Sequence, residues 1–404
     1  MRVVKRKKIA ITGLGVFSAA GKDIPSFTRS LRSGQSAIGP VDLFDVAPFP
    51  SRIGAQVPGY DPLDYFAARD ARKMSRVDQF GVLAAGEALR KSGALGHYSP
   101  YEIGVCVGAG ASGMLQCEEW LQGTLAGKRP RPSLLRGLLP DRTATCIASS
   151  YNLCGYQSSI TTACSSSASS IGWGADLVAT GVVKAVLCGG SDCLSLLTFA
   201  GFNTLRVVDP EPCSPFSQGR QGISLGEGAA FLVLEEEEEA KRRGAEIHGY
   251  LAGYAVAGEG FHMTAPDPSG EDSARVMAEA LKRSGVGVEE VGWVNAHGTG
   301  TPLNDAIESK AMKLVFGERS REVPLVSVKG LTGHCLGAAG AVEALATIIA
   351  LNQRFIPQTL NFRGMDPECD LDYCHDGSRS CQARAALSNS FAFGGNTTCL
   401  VITV

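Results

Sequence analysis

Charge is scarce in this chain and nearly balanced: 38 basic and 40 acidic residues make up 19% of 404 and leave a formal net charge of -2. That balance excludes a bulk attraction to nucleic acid or to a membrane surface, so an anionic partner has to be met by a local patch. With hydrophobic residues at 44%, the shortage of charge excludes a disordered chain and describes a compact globular one. Long uninterrupted apolar runs are missing too. The most apolar helical stretch, Leu336 to Leu351, is broken by Glu343, which argues against a membrane span. The 13 cysteines have no framework spacing, which argues against disulfides and for reduced thiols in a cytoplasmic protein. Cys369, Cys374, His375 and Cys381 crowd together at intervals too irregular for a zinc site, and no metal is expected. The run Ile9–Thr12 with Gly13-Leu14-Gly15 reads as a strand entering a glycine turn. It lacks the third glycine of a dinucleotide fingerprint. Thr12, Gly13 and Gly15 also break the apolar stretch after the basic start Met1 to Lys8, so that start does not read as a secretory signal.

What is present is length, glycine and alternation. A chain of 404 residues buries a large core in two or three structural units. Helical spacing runs from Asp64 to Ser92 and from Ser273 to Ser284. Strand-like runs fall at Ile103–Val107, Ala185–Gly190, Ala230–Leu234, Val291–Asn295 and Cys399–Val404. The alternation predicts an α/β architecture with covered sheets. A second half is expected to begin at Gly249, giving units 1–248 and 249–404. The acidic run Glu235–Glu239 before Lys241-Arg242-Arg243 reads as a helix whose ends complement its dipole.

The chemistry gathers at four places. Cys164 stands between a β-prone run, Ser158–Thr162, and a helix marked by Ile171, Ala175 and Val178. Free N–H groups and a positive helix end there favour a thiolate. His297 ends a strand before Gly298-Thr299-Gly300-Thr301-Pro302, where Thr301 and Pro302 suit the N-cap and first position of a helix that aligns Asp305 with Glu308. His334 follows Ser327-Val328-Lys329, read as another strand, and precedes another helix. Ser388 to Asn396 is a polar, glycine-rich turn. One cysteine with two neutral imidazoles can hold a thioester and polarise a second carbonyl oxygen.

Taken together, TACSSS, NAHGTGTPLND, VKGLTGHCLGAAGAVEA and NSFAFGGN resemble the β-ketoacyl synthases, and the resemblance extends over nearly the whole chain. It implies a thiolase fold of two similar halves, each with a mixed sheet, layered α-β-α-β-α. It implies a homodimer, with a heterodimer as the alternative, and an acyl-carrier-protein partner. By the same resemblance Cys164 takes the acyl chain, while His297 and His334 bind the malonyl thioester and stabilise the enolate left by decarboxylation. The N–H groups of Cys164 and Phe393 form an oxyanion hole, Phe393 gates it, and Thr299 and Thr301 hold the phosphopantetheine arm. Lys329, Glu308 and Glu343 form a buried charged network with a supporting role, as does Asp305. No metal or redox cofactor is implied, since the substrates arrive on carrier-protein phosphopantetheine. Three departures stand out. Thr397 replaces an asparagine of the last turn, Ile223 stands where an aromatic is common, and Ala111 stands where a larger aliphatic narrows the acyl channel. The last two reshape the substrate pocket and bring a secondary-metabolite synthase with a non-standard primer into view. Arg69, Arg72, Lys73, Lys128, Arg129 and Arg206 are candidates for the carrier-protein dock. A non-catalytic, chain-length-setting partner subunit is the rival reading, but such partners lose the nucleophile. A thiolase acting on coenzyme A esters would show a second cysteine near the last turn, and here none precedes Cys399.

Overall fold

In the computed structural model, which describes residues 7–404, strand β1 (Ile9–Ser18) continues through Gly13 and Gly15 with a register shift at Thr12, where the sequence predicts a turn. The glycines serve packing. A Cβ on Gly15 would lie 2.0 Å from the carbonyl oxygen of Ala84, and one on Gly13 would lie 2.4 Å from that of Ala88. Both carbonyls belong to helix α1 (Arg76–Ser92), whose backbone therefore rests directly on the strand. Gly15→Ala is expected to cost about 1–3 kcal/mol through overpacking. An unchanged urea-unfolding midpoint would overturn that account. The basic start, Met1 to Arg6, lies outside the described residues.

The helix predicted from Asp64 begins only at Arg76. Ser75 and Asp78 exchange capping bonds, Asp78 accepting the Ser75 N–H at 2.9 Å, and this start signal outweighs the helical spacing before it. Upstream the chain forms a 3₁₀ turn, Pro62–Asp64, and a four-residue helix, Ala68–Ala71. The acidic run is divided in a similar way. Glu235 and Glu236 close a strand, and only Glu237–Arg242 is helical. Glu235 is fully buried and accepts from Tyr98 Oη at 2.7 Å and Arg243 Nε at 2.7 Å.

The remaining main strands are β2 (Ile103–Gly108), β3 (Gln157–Ile160), β4 (Ala185–Asp192), β5 (Gly228–Glu236), β6 (Gly249–Gly258), β7 (Val291–Asn295), β8 (Leu325–Val326), β9 (Ala385–Phe391) and β10 (Asn396–Thr403). They lie in the order β8-β7-β9-β10-β6-β1-β5-β4-β2-β3. Each five repeats the other. β2 pairs parallel with β3 and β4, as β7 does with β8 and β9. β5 pairs antiparallel with β4 and β1, as β10 does with β9 and β6. Among the described residues, the strand pairing that joins the two fives is that of Ile9–Ile11 with Gly249–Leu251.

Between the fives lie helices α2 (Ser166–Ala179) and α3 (Ala339–Asn352). α3 is buried from Ala339 to Leu351 on every face, as an apolar helix enclosed by sheets should be. Helix α1 covers the first five from outside, and helices α4 (Glu271–Ser284) and α5 (Pro302–Phe316) cover the second. This is the expected α-β-α-β-α layering of two mixed sheets. Among the described residues no helix is long and apolar enough to cross a membrane.

Candidate active site

The two central helices begin side by side: Ala341 N–H donates to Ser167 Oγ at 2.9 Å. Each is entered through a residue in the left-handed region, Ala163 at φ 50° and Leu336 at φ 49°. A residue with a side chain holds that conformation only where its surroundings enforce it. Cys164 sits in the 3₁₀ turn Ala163–Ser165 that leads into α2. Its sulfur is buried, and the Phe393 N–H is near enough to favour its charged form. Burial pushes the thiol up to about 12, against the opposing pull of the Lys329 charge and the Phe393 N–H. The helix-start thiolate expected from sequence is therefore a thiol at rest, because desolvation outweighs the favourable neighbours.

His297 follows β7, and His334 follows the short helix Lys329–Thr332 (not the strand predicted through Lys329). Their rings stand edge to face, with centroids 5.4 Å apart. Burial holds both well below the usual histidine range, and the Lys329 charge adds to the shift, so both imidazoles are neutral at pH 7. The neighbours also set the tautomers. Leu336 N–H donates to His334 Nδ1 at 3.1 Å, and Lys329 Nζ lies 3.4 Å from His297 Nδ1. With Nδ1 accepting in each ring, Nε2 carries the proton, and the site holds two neutral N–H donors.

The acids sort into two groups, which corrects the single network expected. Lys329 Nζ pairs with Glu343 and donates to the His297 carbonyl, all three buried. Burial pushes the Glu343 carboxyl up to about 7 in spite of that cation. Glu308 makes no bond to Lys329. It accepts the N–H groups of His297 at 2.9 Å and Gly298 at 2.8 Å, and the Asn389 amide at 3.1 Å. Asp305 accepts from Thr299 N at 3.1 Å and Phe216 N at 2.7 Å. One turn of α5 thus fixes the backbone that carries His297 and Thr299.

Cys164, His297, His334, Thr299, Thr301, Ile223 and Phe393 all line one cavity of about 280 Å³. The Thr299 and Thr301 hydroxyls are 2.9 Å apart on its wall, and the Phe393 ring stacks on Phe202 at 5.9 Å. Ala111 does not line the cavity. Its N–H is held by Asp192, and its side chain packs behind the wall in the apolar cluster that contains Ile223, Phe199 and Leu336. The candidate zinc residues have other contacts: His375 stacks on Phe362, and Cys374 Sγ accepts from Arg379 Nε at 3.3 Å.

Two buried groups escaped the sequence reading. Arg220 donates to the carbonyls of Thr301 at 3.1 Å and Pro302 at 2.8 Å, while Asp305, 3.6 Å away, holds the N–H side of the same turn. Nothing in SQGRQG marks it. Asp192 did leave a signal, an acid ending an otherwise apolar strand.

The model "Beta-ketoacyl synthase, N-terminal domain" matches residues 6–240, and "Beta-ketoacyl synthase, C-terminal domain" matches residues 248–363. A 3-oxoacyl-[acyl-carrier-protein] synthase 2 of Synechocystis sp. is 36% identical over 411 residues, 99% of each chain. The solved ishigamide ketosynthase/chain length factor superposes with a TM-score of 0.94 at 34% identity, over 99% of this chain and 100% of that one. A type II polyketide ketosynthase, solved with its acyl-carrier protein and bound to the hexaketide, gives 0.90 at 29% identity over 99% and 100%.

Proposed function

The chain belongs to the β-ketoacyl synthase family, and from that premise we propose that it joins an acyl chain to malonyl-acyl carrier protein, releasing CO2 and a 3-oxoacyl-acyl carrier protein. The observation that carries this reading is one cavity containing a thiol, an N–H near its sulfur and two neutral imidazole donors. Acyl transfer needs no stored thiolate. Cys164 gives up its proton as it attacks the incoming thioester, and the departing pantetheine sulfur takes a proton. The tetrahedral oxyanion falls to the N–H groups of Cys164 and Phe393. Malonyl thioester then enters, and loss of CO2 leaves an enolate whose oxygen the two Nε2–H groups stabilise. The enolate carbon attacks the acyl-cysteine, the C–S bond breaks, and the Cys164 sulfur recovers a proton. Thr299 and Thr301 hold the pantetheine arm, and Lys329, Glu343, Glu308 and Asp305 keep the two histidines and their loop in place. Residues 1–248 form the half that carries the nucleophile, and 249–404 the half that carries both histidines.

The pure protein, given acyl- and malonyl-carrier thioesters, tests the reading: release of CO2 without a 3-oxoacyl product, or neither, would sink it. A polyketide-type primer is the second reading, favoured by Ile223 in place of an aromatic on the cavity wall and by the kinds of ketosynthase that superpose. Intact-protein mass spectra across a panel of acyl donors separate it from fatty-acid elongation by which chains load.

The carrier protein is assigned to the exposed basic residues Arg69, Arg72, Lys73, Lys128, Arg129 and Arg206, of which Arg206 adjoins the cavity-lining Val207. Arg206→Glu is expected to raise KM for carrier-protein thioesters about tenfold at low salt and to leave small pantetheine thioesters unaffected. Equal effects on both substrates would remove Arg206 from the dock. The partner in the dimer is a second copy of this chain or a related subunit.

A further inference from the structure

Asp192 ends β4 with its side chain wholly enclosed, and none of its hydrogen-bond partners is a cation. Four backbone N–H groups face its carboxylate instead. Gly110 and Ala111 donate from the loop after β2 at 3.1 Å each, Cys193 from its own turn at 3.3 Å, and Gly337 at 2.9 Å from the segment after His334. Burial pushes the carboxyl up to about 7 despite these donors. The nest is tight. A Cβ on Gly110 would lie 2.4 Å from Asp192 Oδ2, and one on Gly337 would lie 2.4 Å from the Gly110 nitrogen.

Consecutive N–H groups in this segment have different jobs. That of Leu336 holds His334 Nδ1, and that of Gly337 is held by Asp192. Leu336 between them is in the left-handed region, which a leucine keeps only where its neighbours fix it from both sides. Resting on the proposed condensing activity, we propose that Asp192 is a positioning residue for His334: by gripping Gly337 it locks Leu336 in its strained conformation, and so keeps the Leu336 N–H on Nδ1 and the proton of His334 on Nε2. The same grip ties the loop of the first half to the histidine segment of the second.

Asp192→Asn tests this, because it keeps the shape but turns an amide NH2 toward some of those N–H groups. Malonyl decarboxylation is expected to fall about tenfold to a hundredfold, the scale of a donor displaced by an ångström or less. Alkylation of Cys164 by iodoacetamide should not fall by more than about threefold, since none of the Asp192 hydrogen bonds reaches the cysteine and loss of the Asp192 charge removes a cause that raises its thiol. In a His334→Ala background Asp192→Asn should cost less than about twofold, because its route of action is already gone. Additive losses in the double variant, a parallel fall in decarboxylation and alkylation, or no loss in the single variant would each overturn the proposal. If Asp192→Asn does not fold, as judged by thermal unfolding, the same cycle is run with Asp192→Ser. Wild-type protein that fails to release CO2 would instead count against the condensing activity itself.

Discussion

Cys164→Ala is expected to end condensation outright while malonyl decarboxylation goes on. Among the 13 cysteines only Cys164 lines the cavity, so no other thiol stands where an acyl group can load and meet the enolate. Intact-protein mass spectrometry should show the acyl adduct on the wild-type chain and none on the variant. The decarboxylating donors belong to the other half of the molecule, and the substitution reaches neither ring nor the Leu336 and Lys329 contacts behind them. A variant that still made 3-oxoacyl product at the wild-type rate would refute the nucleophile assignment.

His297→Ala and His334→Ala are expected to do the reverse. Each removes one donor aimed at a developing oxyanion, an effect of about 3 kcal/mol, or on the order of a hundredfold to a thousandfold in decarboxylation. Acyl loading of Cys164 should survive within a few-fold. His297→Ala is the cleaner of the two. The substitution removes the Lys329 contact to Nδ1, but Lys329 keeps its bond to the backbone carbonyl of residue 297 and Glu308 its bond to the backbone N–H, so the architecture around the missing ring persists. If loading collapsed together with decarboxylation, the division of labour between cysteine and histidines would be wrong.

The parts of this site legible in sequence were those whose chemistry and local geometry sit in one short segment. Val291–Asn295 is a strand as read, Thr301 and Pro302 start α5 as read, and Cys164 lies where a strand hands over to a helix. What sequence could not give depends on partners distant in the chain. Gly13 and Gly15 look like a turn until α1, some 70 residues later, is laid on them. The protonation of Cys164 is set by enclosure, which no neighbouring residue reports. Ala111 matched the position of a channel-narrowing residue, yet the grip of Asp192 on its N–H keeps it behind the wall. Arg220 serves carbonyls 81 and 82 positions away, and neither its spacing nor its composition announces that.

The repeat of the two five-strand sets has one more consequence. Leu336–Ala338 introduces α3 as Ala163–Ser165 introduces α2, which puts Gly337 where the first half has Cys164. Where one copy of the scaffold offers a sulfur and an open mouth, the other has no side chain at all and a ring of N–H groups already stoppered by the chain's own carboxylate. The duplicated scaffold thus houses one workshop and one bricked-up twin. On the proposed mechanism the second half needs no nucleophile of its own and lends its histidines to the cysteine of the first.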